Sequence, residues 1–229
     1  MIFKHRVLGR YMKSLHDAAP IMIGYFSISI AFGVIAKDLI GFNAVLMSAL
    51  VFAGASQFIA LHMIMNKSSG GLIVLTTFLI NLRHLLMSSY MSKLYKNVKI
   101  LKRVLISFGI TDETFATVYR RFKNGFVDPM YNLKLNFLCY ISWISGTVVG
   151  LLFGFVIPHE LVEVLTFGLT ALFITILVLS IDNRMDIAVA LISGFIAISL
   201  SSLGSLNVLL ACLLGCIAGG VIERWRYCR

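Results

Sequence analysis

Midway along an apolar run at 71–92 stands the tetrad Asn81-Leu82-Arg83-His84. An arginine at the centre of a bilayer costs roughly 2.5–3.5 kcal/mol on insertion scales, so Arg83 needs a counter-charge or a water-filled cavity beside it. On a helix Asn81 and His84 (i, i+3) and His84 and Ser88 (i, i+4) form one polar stripe, with Arg83 turned about 100° away, so two neighbouring surfaces are served. The plainer alternatives are a structural ion pair or a run that ends early and leaves Arg83 at the membrane surface. A second polar group, Thr111-Asp112-Glu113-Thr114, follows the moderately apolar 104–110. Thr111 suits a helix N-cap, and two carboxylates in a first turn lie favourably against the positive end of the helix dipole. In a functional role Asp112 or Glu113 is the counter-charge of Arg83 or a carrier of protons. The third group is Gly54-Ala55-Ser56-Gln57, inside the apolar stretch 44–65. A helix that stops and restarts at such a point leaves backbone N–H groups free to hold a carboxylate, with Ser56 and Gln57 beside it. The alternative is helix packing through small residues, with Gln57 bonding to a neighbouring helix.

Other chemistries lack their usual patterns. No P-loop, H-E-x-x-H or G-x-S-x-G occurs, which removes the signatures of ATP-driven transport, zinc proteolysis and serine hydrolysis. An embedded enzyme using His84 with Asp112 or Glu113 as acid and base lacks a nucleophile or metal pattern at a telling spacing. The four cysteines, Cys139, Cys212, Cys216 and Cys228, show no C-x-x-C pair and read as packing residues.

The elements that must position these groups follow from composition. Of 229 residues, 59% are hydrophobic and 13% charged, and the mean hydropathy is +0.92. A helix needs about 20 apolar residues to cross a bilayer, and several such runs are present, so the chain is an all-α polytopic membrane protein. The net charge of +10 is clustered beside apolar runs, which argues for lipid contact and against nucleic acid. The basic start with Lys4, Arg6, Arg10 and Lys13 resembles the head of a signal peptide, but its length and Pro20 favour a retained first helix.

Apolar stretches fall near 19–36, 44–65, 71–92, 135–157, 164–181, 187–202 and 206–222, with a mixed segment at about 100–119 and no linker between domains, which gives a single membrane domain over 1–229. The N-terminal basic group and the run Lys93, Lys96, Lys99, Lys102 and Arg103 should both be cytoplasmic, and three apolar stretches lie between them. Either one of the three does not cross or the charge rule is violated here, and 44–65 is the candidate for a broken or re-entrant element, with Ser56 as a capping residue at the restart. The expected architecture is about six transmembrane helices plus irregular elements at 44–65 and 104–119, with both termini cytoplasmic. Runs 187–202 and 206–222 are short for full spans. Gly146, Gly150 and Gly154, and later Gly215 and Gly219, clear helix faces for close packing, within the chain or against another subunit. Trp143, Trp225 and several tyrosines suit an aromatic belt.

Pro20 with Gly24 and Ala31-Phe32-Gly33, then Phe52-Ala53-Gly54-Ala55-Ser56-Gln57-Phe58, Asn81-Leu82-Arg83-His84, and Thr111-Asp112-Glu113 before Phe115, together resemble the AzlC family over nearly the whole length. The middle two motifs are specific in combination. The resemblance implies the larger subunit of a bacterial two-component secondary exporter of valine, leucine, isoleucine and analogues such as azaleucine, with a small AzlD-like membrane subunit as partner. No cofactor is implied beyond possible coupling to the proton gradient. On this view Gly54, Ser56, Gln57, Asn81, Arg83, His84, Asp112 and Glu113 are the candidate substrate-binding residues. A passive pore for small solutes is the competing function, distinguished by whether solute accumulates against its gradient.

Overall fold

The computed structural model describes residues 2–126, 128–181, 183–200, 210, 214–215 and 217–221, with side chains from Met12 onward except at 159, 169, 172, 176, 179 and 180. Among the described residues the ordered elements are helices: α1 (Ile2–Ile40), α2 (Asn43–Leu50), α3 (Gly54–Met65), α4 (Gly70–Leu94), α5 (Ile100–Phe108), α6 (Asp112–Lys123), α7 (Pro129–Phe153), α8 (His159–Ser180) and α9 (Arg184–Ser199). Three are long and apolar enough to cross a membrane, over Met12–Ile40, Gly70–Leu94 and Pro129–Phe153. The 22 residues of α8 reach about 33 Å at 1.5 Å per residue, the length of a span. At 16 residues α9 is shorter, and most of 206–222 lies outside the described residues, as do Cys212, Cys216, Cys228, Trp225 and the C-terminal arginines.

The axis of the fold is the parallel pair α1 and α7. Asp128 starts α7 by accepting the Met130 N–H at 2.9 Å, and Pro129 sits in the first turn, where no intrahelical donor is needed. Along the seam Gly146 lies against Phe26 and Ser29, Gly150 against Ile30 and Gly33, and Gly154 against Val34. A Cβ on Gly33 would lie 3.0 Å from the Gly150 Cα, so the two backbones touch where neither has a side chain. The Ser142 hydroxyl adds a bond to the Met22 carbonyl at 2.7 Å. The glycine stripe is therefore an intramolecular surface, and Gly215 and Gly219 likewise pack within the chain, on Ser193 and Val189. Pro20 lies inside α1 rather than opening it.

Between these axial helices the chain makes two re-entrant hairpins. From the far end of α1, α2 descends with Ala44 beside Phe32 and Ala36, then Ser48 Oγ 2.8 Å from Thr147 Oγ1, and the chain reaches Phe52 packed edge-on against Tyr25 and Tyr140. It then turns back. The Gln57 amide donates to Ser48 Oγ at 3.1 Å, and Leu61 rejoins Ala44, Phe32 and Ala36. The stretch 44–65 thus enters and leaves on one side, as the charge parity requires. Its interruption is three residues earlier than expected. The helix ends at Leu50, Phe52 adopts φ +43, and Gly54–Gln57 form the first turn of α3. Ser56 is not the cap; Ala53 holds that position without a side-chain bond.

After α4 has run the length of the bundle, the second hairpin enters from the opposite end. Tyr95, at the close of α4, accepts from Asn132 at 3.4 Å, so the chain is then level with the start of α7. From there α5 rises until the Asn136 amide donates to the Ile106 carbonyl at 2.9 Å and Phe108 meets the Tyr140 ring. The chain breaks at Gly109–Thr111, and α6 returns until Arg121 meets Asp17 and Lys13 lies over Phe126. Lys93, Lys96, Lys99, Lys102, Arg103, Arg120, Arg121 and Lys123 are consequently gathered at one end of the molecule with Lys13.

Candidate functional site

The two hairpin tips meet in the middle of the bundle. Phe52–Ala55 from one side and Thr111–Glu113 from the other, closed by Tyr25, Ile28, Arg83, His84, Trp143 and Phe173, line a cavity of about 30 Å³. That volume holds one or two waters and is far too small for an amino acid.

Arg83 is the fourteenth of the 25 residues of α4, and its Nη1 lies 2.6 Å from Asp112 Oδ2 on the opposing tip. The guanidinium also lies over the Phe173 ring, 5.4 Å from its centroid, a contact that favours a cation held away from bulk water. Its Nε is buried with no hydrogen-bond partner among the described residues. The Arg83 and Asp112 side chains are 28% and 23% exposed, so the pair borders an opening and is not sealed in apolar packing.

The acidic tip is shaped by its own sequence. The Thr111 hydroxyl accepts the Thr114 N–H at 3.3 Å, and Thr114 returns a bond to the Thr111 N–H at 2.9 Å. Both exchanges satisfy donors that a helix start leaves open. Thr111 is thus the N-cap expected of it. Next to it the Tyr25 hydroxyl donates to the Glu113 carboxylate and lies 2.7 Å from Thr111 Oγ1. Phe52 and Trp143 hold the Tyr25 ring edge-on, with centroids at 6.2 and 5.5 Å. Glu113 is therefore anchored to α1 through a hydroxyl, and Asp112 to α4 through a cation.

The opposing tip offers backbone instead of charge. No side chain caps α3, whose first turn closes with the Gln57 N–H on the Ala53 carbonyl at 3.0 Å. The N–H groups of the first turn, at the positive end of the dipole, border the cavity at Gly54 and Ala55. Glycine is required at position 54 because a Cβ there would lie 2.6 Å from Trp143 Cη2. Phe52, a non-glycine residue in the left-handed region, holds the turn under backbone strain.

Of the residues singled out by sequence, Gly54, Arg83, His84, Asp112 and Glu113 line one cavity, and Ser56, Gln57 and Asn81 do not. Ser56 is fully buried and donates to the Ala53 carbonyl at 2.9 Å. Gln57 is fully buried as well and accepts from the Trp143 indole at 3.1 Å while donating to Ser48. Both therefore secure the hairpin. Asn81 has a buried Oδ1 with no partner among the described residues. Sequence reasoning missed Tyr25, Ile28, Phe52, Trp143 and Phe173. Trp143 is 3% exposed and belongs to the core, not to an aromatic belt. A usable signal for Tyr25 was its hydroxyl in mid-run, which must find a polar partner. No group of three or more metal-ligating side chains occurs among the described residues.

Comparison with known proteins places this arrangement. Residues 20–157, which contain both hairpins and Arg83, match the family model described as AzlC protein. An uncharacterized membrane protein of Archaeoglobus fulgidus is 32% identical over 92% of this chain and 94% of its own length. The inner membrane protein YgaZ of Escherichia coli is 30% identical over 94% of this chain and 92% of its own. The branched-chain amino acid transport protein AzlC of Bacillus subtilis is 31% identical over 69% of this chain and 63% of its own. No solved structure matches. With the family model covering more than half of the chain and relatives aligned almost end to end, this protein belongs to the AzlC family.

Proposed function

We propose that this chain is a secondary exporter of branched-chain amino acids, valine, leucine, isoleucine and analogues such as azaleucine, working with a small AzlD-like membrane subunit. Membrane transport is what the family supports, and one relative carries branched-chain amino acid transport in its name. The observation that carries the proposal is the Arg83–Asp112 pair at the junction of two opposed re-entrant tips. A zwitterion can replace such a pair without changing the charge of the site. Its carboxylate takes the Arg83 guanidinium or the N–H groups at Gly54 and Ala55, and its ammonium takes Asp112 or Glu113. Ile28, Phe52, Trp143 and Phe173 supply apolar surface for an aliphatic side chain.

Admission of an amino acid to so small a cavity requires the tips to part, which favours alternating access over an open pore. The basic end then faces the cytoplasm, following the bias of lysine and arginine, with both termini on that side of the bacterial cytoplasmic membrane. Coupling to the proton gradient runs through His84 or the two carboxylates; leucine export unaffected by an uncoupler would refute it. Arg83→Ala abolishes leucine efflux from whole cells while the protein remains in the membrane at normal abundance. Unchanged efflux removes Arg83 from the site. Efflux measured with and without the co-expressed small subunit tests the partnership.

A further inference from the structure

A second cavity, of about 410 Å³, lies away from the hairpin junction and is lined by Ser92 of α4 and by Ile100, Arg103, Val104, Ser107 and Phe108 of α5. The α5 residues are spaced i, i+3, i+4, i+7 and i+8, so they make one helical face. It has a wet end and a dry end. Lys99 precedes the helix at the basic end of the molecule, whereas Phe108 reaches the Tyr140 ring beside the junction of the tips. Eight residues of rise carry the groove about 12 Å inward from that end. Ile100, Val104 and Phe108 are all exposed. Between them, one turn in from the surface, stands Arg103, whose Nε is buried and has no hydrogen-bond partner among the described residues. No carboxylate among the described residues lines the cavity.

We infer that this groove binds an anionic phospholipid, with its phosphate held by Arg103 and the hydroxyls of Ser92 and Ser107 and an acyl chain laid along Val104 and Phe108. Charge complementarity commits the site to this occupant. Lys93 and Lys99, next in sequence to the lining residues Ser92 and Ile100, are exposed, as are Lys96 and Lys102 on the same segment, and the α5 N-terminus has no side-chain cap, so the positive field falls at the end of the groove where a headgroup sits. A guanidinium with a buried, unused donor, in a groove that no described carboxylate lines, calls for an anion. A neutral apolar partner leaves it unmet. Bound there, the lipid supports the first arm of the basic-end hairpin from the membrane side. The inference does not depend on the transported substrate.

The test is native mass spectrometry of the purified full-length chain titrated with phosphatidylglycerol or phosphatidylcholine. Wild type retains phosphatidylglycerol preferentially, Arg103→Gln lowers its affinity about fivefold, the share of one basic residue near the surface, and Val104→Trp, at an exposed position, fills the groove and displaces the lipid. Equal retention of the two lipids overturns the inference. So does a preference unchanged in both variants, which assigns the effect to the surface lysines. Competition by soluble glycerol phosphate as strong as by the lipid overturns the choice of a lipid. A photoreactive group at Val104 yields a lipid adduct in native membranes; a protein adduct in its place shows that another chain covers the groove.

Discussion

The two re-entrant hairpins enter from opposite ends and meet at one cavity, yet they are held by different kinds of bond. The α2–α3 hairpin is closed on itself by Gln57 to Ser48 and fixed to α7 by neutral groups: Ser48 to Thr147, Gln57 to Trp143, and Tyr140 to the Ala49 carbonyl at 2.9 Å. The α5–α6 hairpin keeps two comparable bonds, from Asn136 to Ile106 and from Tyr25 to Thr111, and beyond them relies on charge: Asp112 on Arg83, Glu113 on Tyr25, and Arg121 on Asp17 through Nε at 2.9 Å and Nη2 at 2.6 Å. Buried neutral networks have no competitor in a membrane and are costly to open. Ion pairs bordering an opening can be exchanged for water or for the charged ends of a solute. The difference assigns the first hairpin to scaffolding, presenting backbone donors at a fixed place, and the second to the part that responds to what binds.

The sharpest way to break this comparison is at the pair itself. Asp112→Asn leaves Arg83 without its counter-charge and costs about 3 kcal/mol, the low end for a broken buried pair because both side chains are about a quarter exposed. Thermal unfolding in detergent reads the loss, and leucine counterflow falls to background. The double change Arg83→Gln with Asp112→Asn recovers most of the stability and none of the transport. Next is Gln57→Leu, which strands the Trp143 indole, leaves Ser48 with Thr147 alone and costs about 1–3 kcal/mol. As a scaffold change it lowers protein abundance while the KM for leucine is kept; a KM shift with abundance intact would place Gln57 in the site. Gly54→Ala pushes the Trp143 ring aside and costs about 1–2 kcal/mol by overpacking, visible in unfolding and in tryptophan emission. Smallest is Asp17→Asn, worth about 0.5 kcal/mol after allowance for water around Arg121. Its signature is faster amide exchange in α6 with α2 and α3 unchanged, and equal acceleration in both hairpins would erase the contrast.

Much of this arrangement was legible from charge. Arg83 in an apolar run demanded a partner, and Asp112 supplies one. The parity of the basic clusters required 44–65 to turn back, which it does. Thr111 announced the start of α6 because Thr-Asp-Glu-Thr satisfies its own backbone. What could not be seen has a common cause: a membrane makes lipid-facing and core-facing surfaces equally apolar, so polarity does not tell them apart. Trp143 looks the same in sequence whether it faces headgroups or a hairpin tip. Phe52 gives no sign that it occupies the left-handed region, since the turn is imposed by packing against Tyr25 and Tyr140. Ser56 and Gln57 are polar residues in the right motif, but Gln57 turns to Trp143 of α7 and Ser56 bonds back to the Ala53 carbonyl, while Gly54 and Ala55 meet the cavity.

The central claim, that an amino acid binds where the two tips meet, is tested most directly at Ala55, which lines the cavity from the neutral tip. A single cysteine placed there should react with a small charged thiol reagent supplied in water, at a rate slowed by saturating leucine and unaffected by lysine. Modification that proceeds at the same rate with and without leucine, or not at all, contradicts the account.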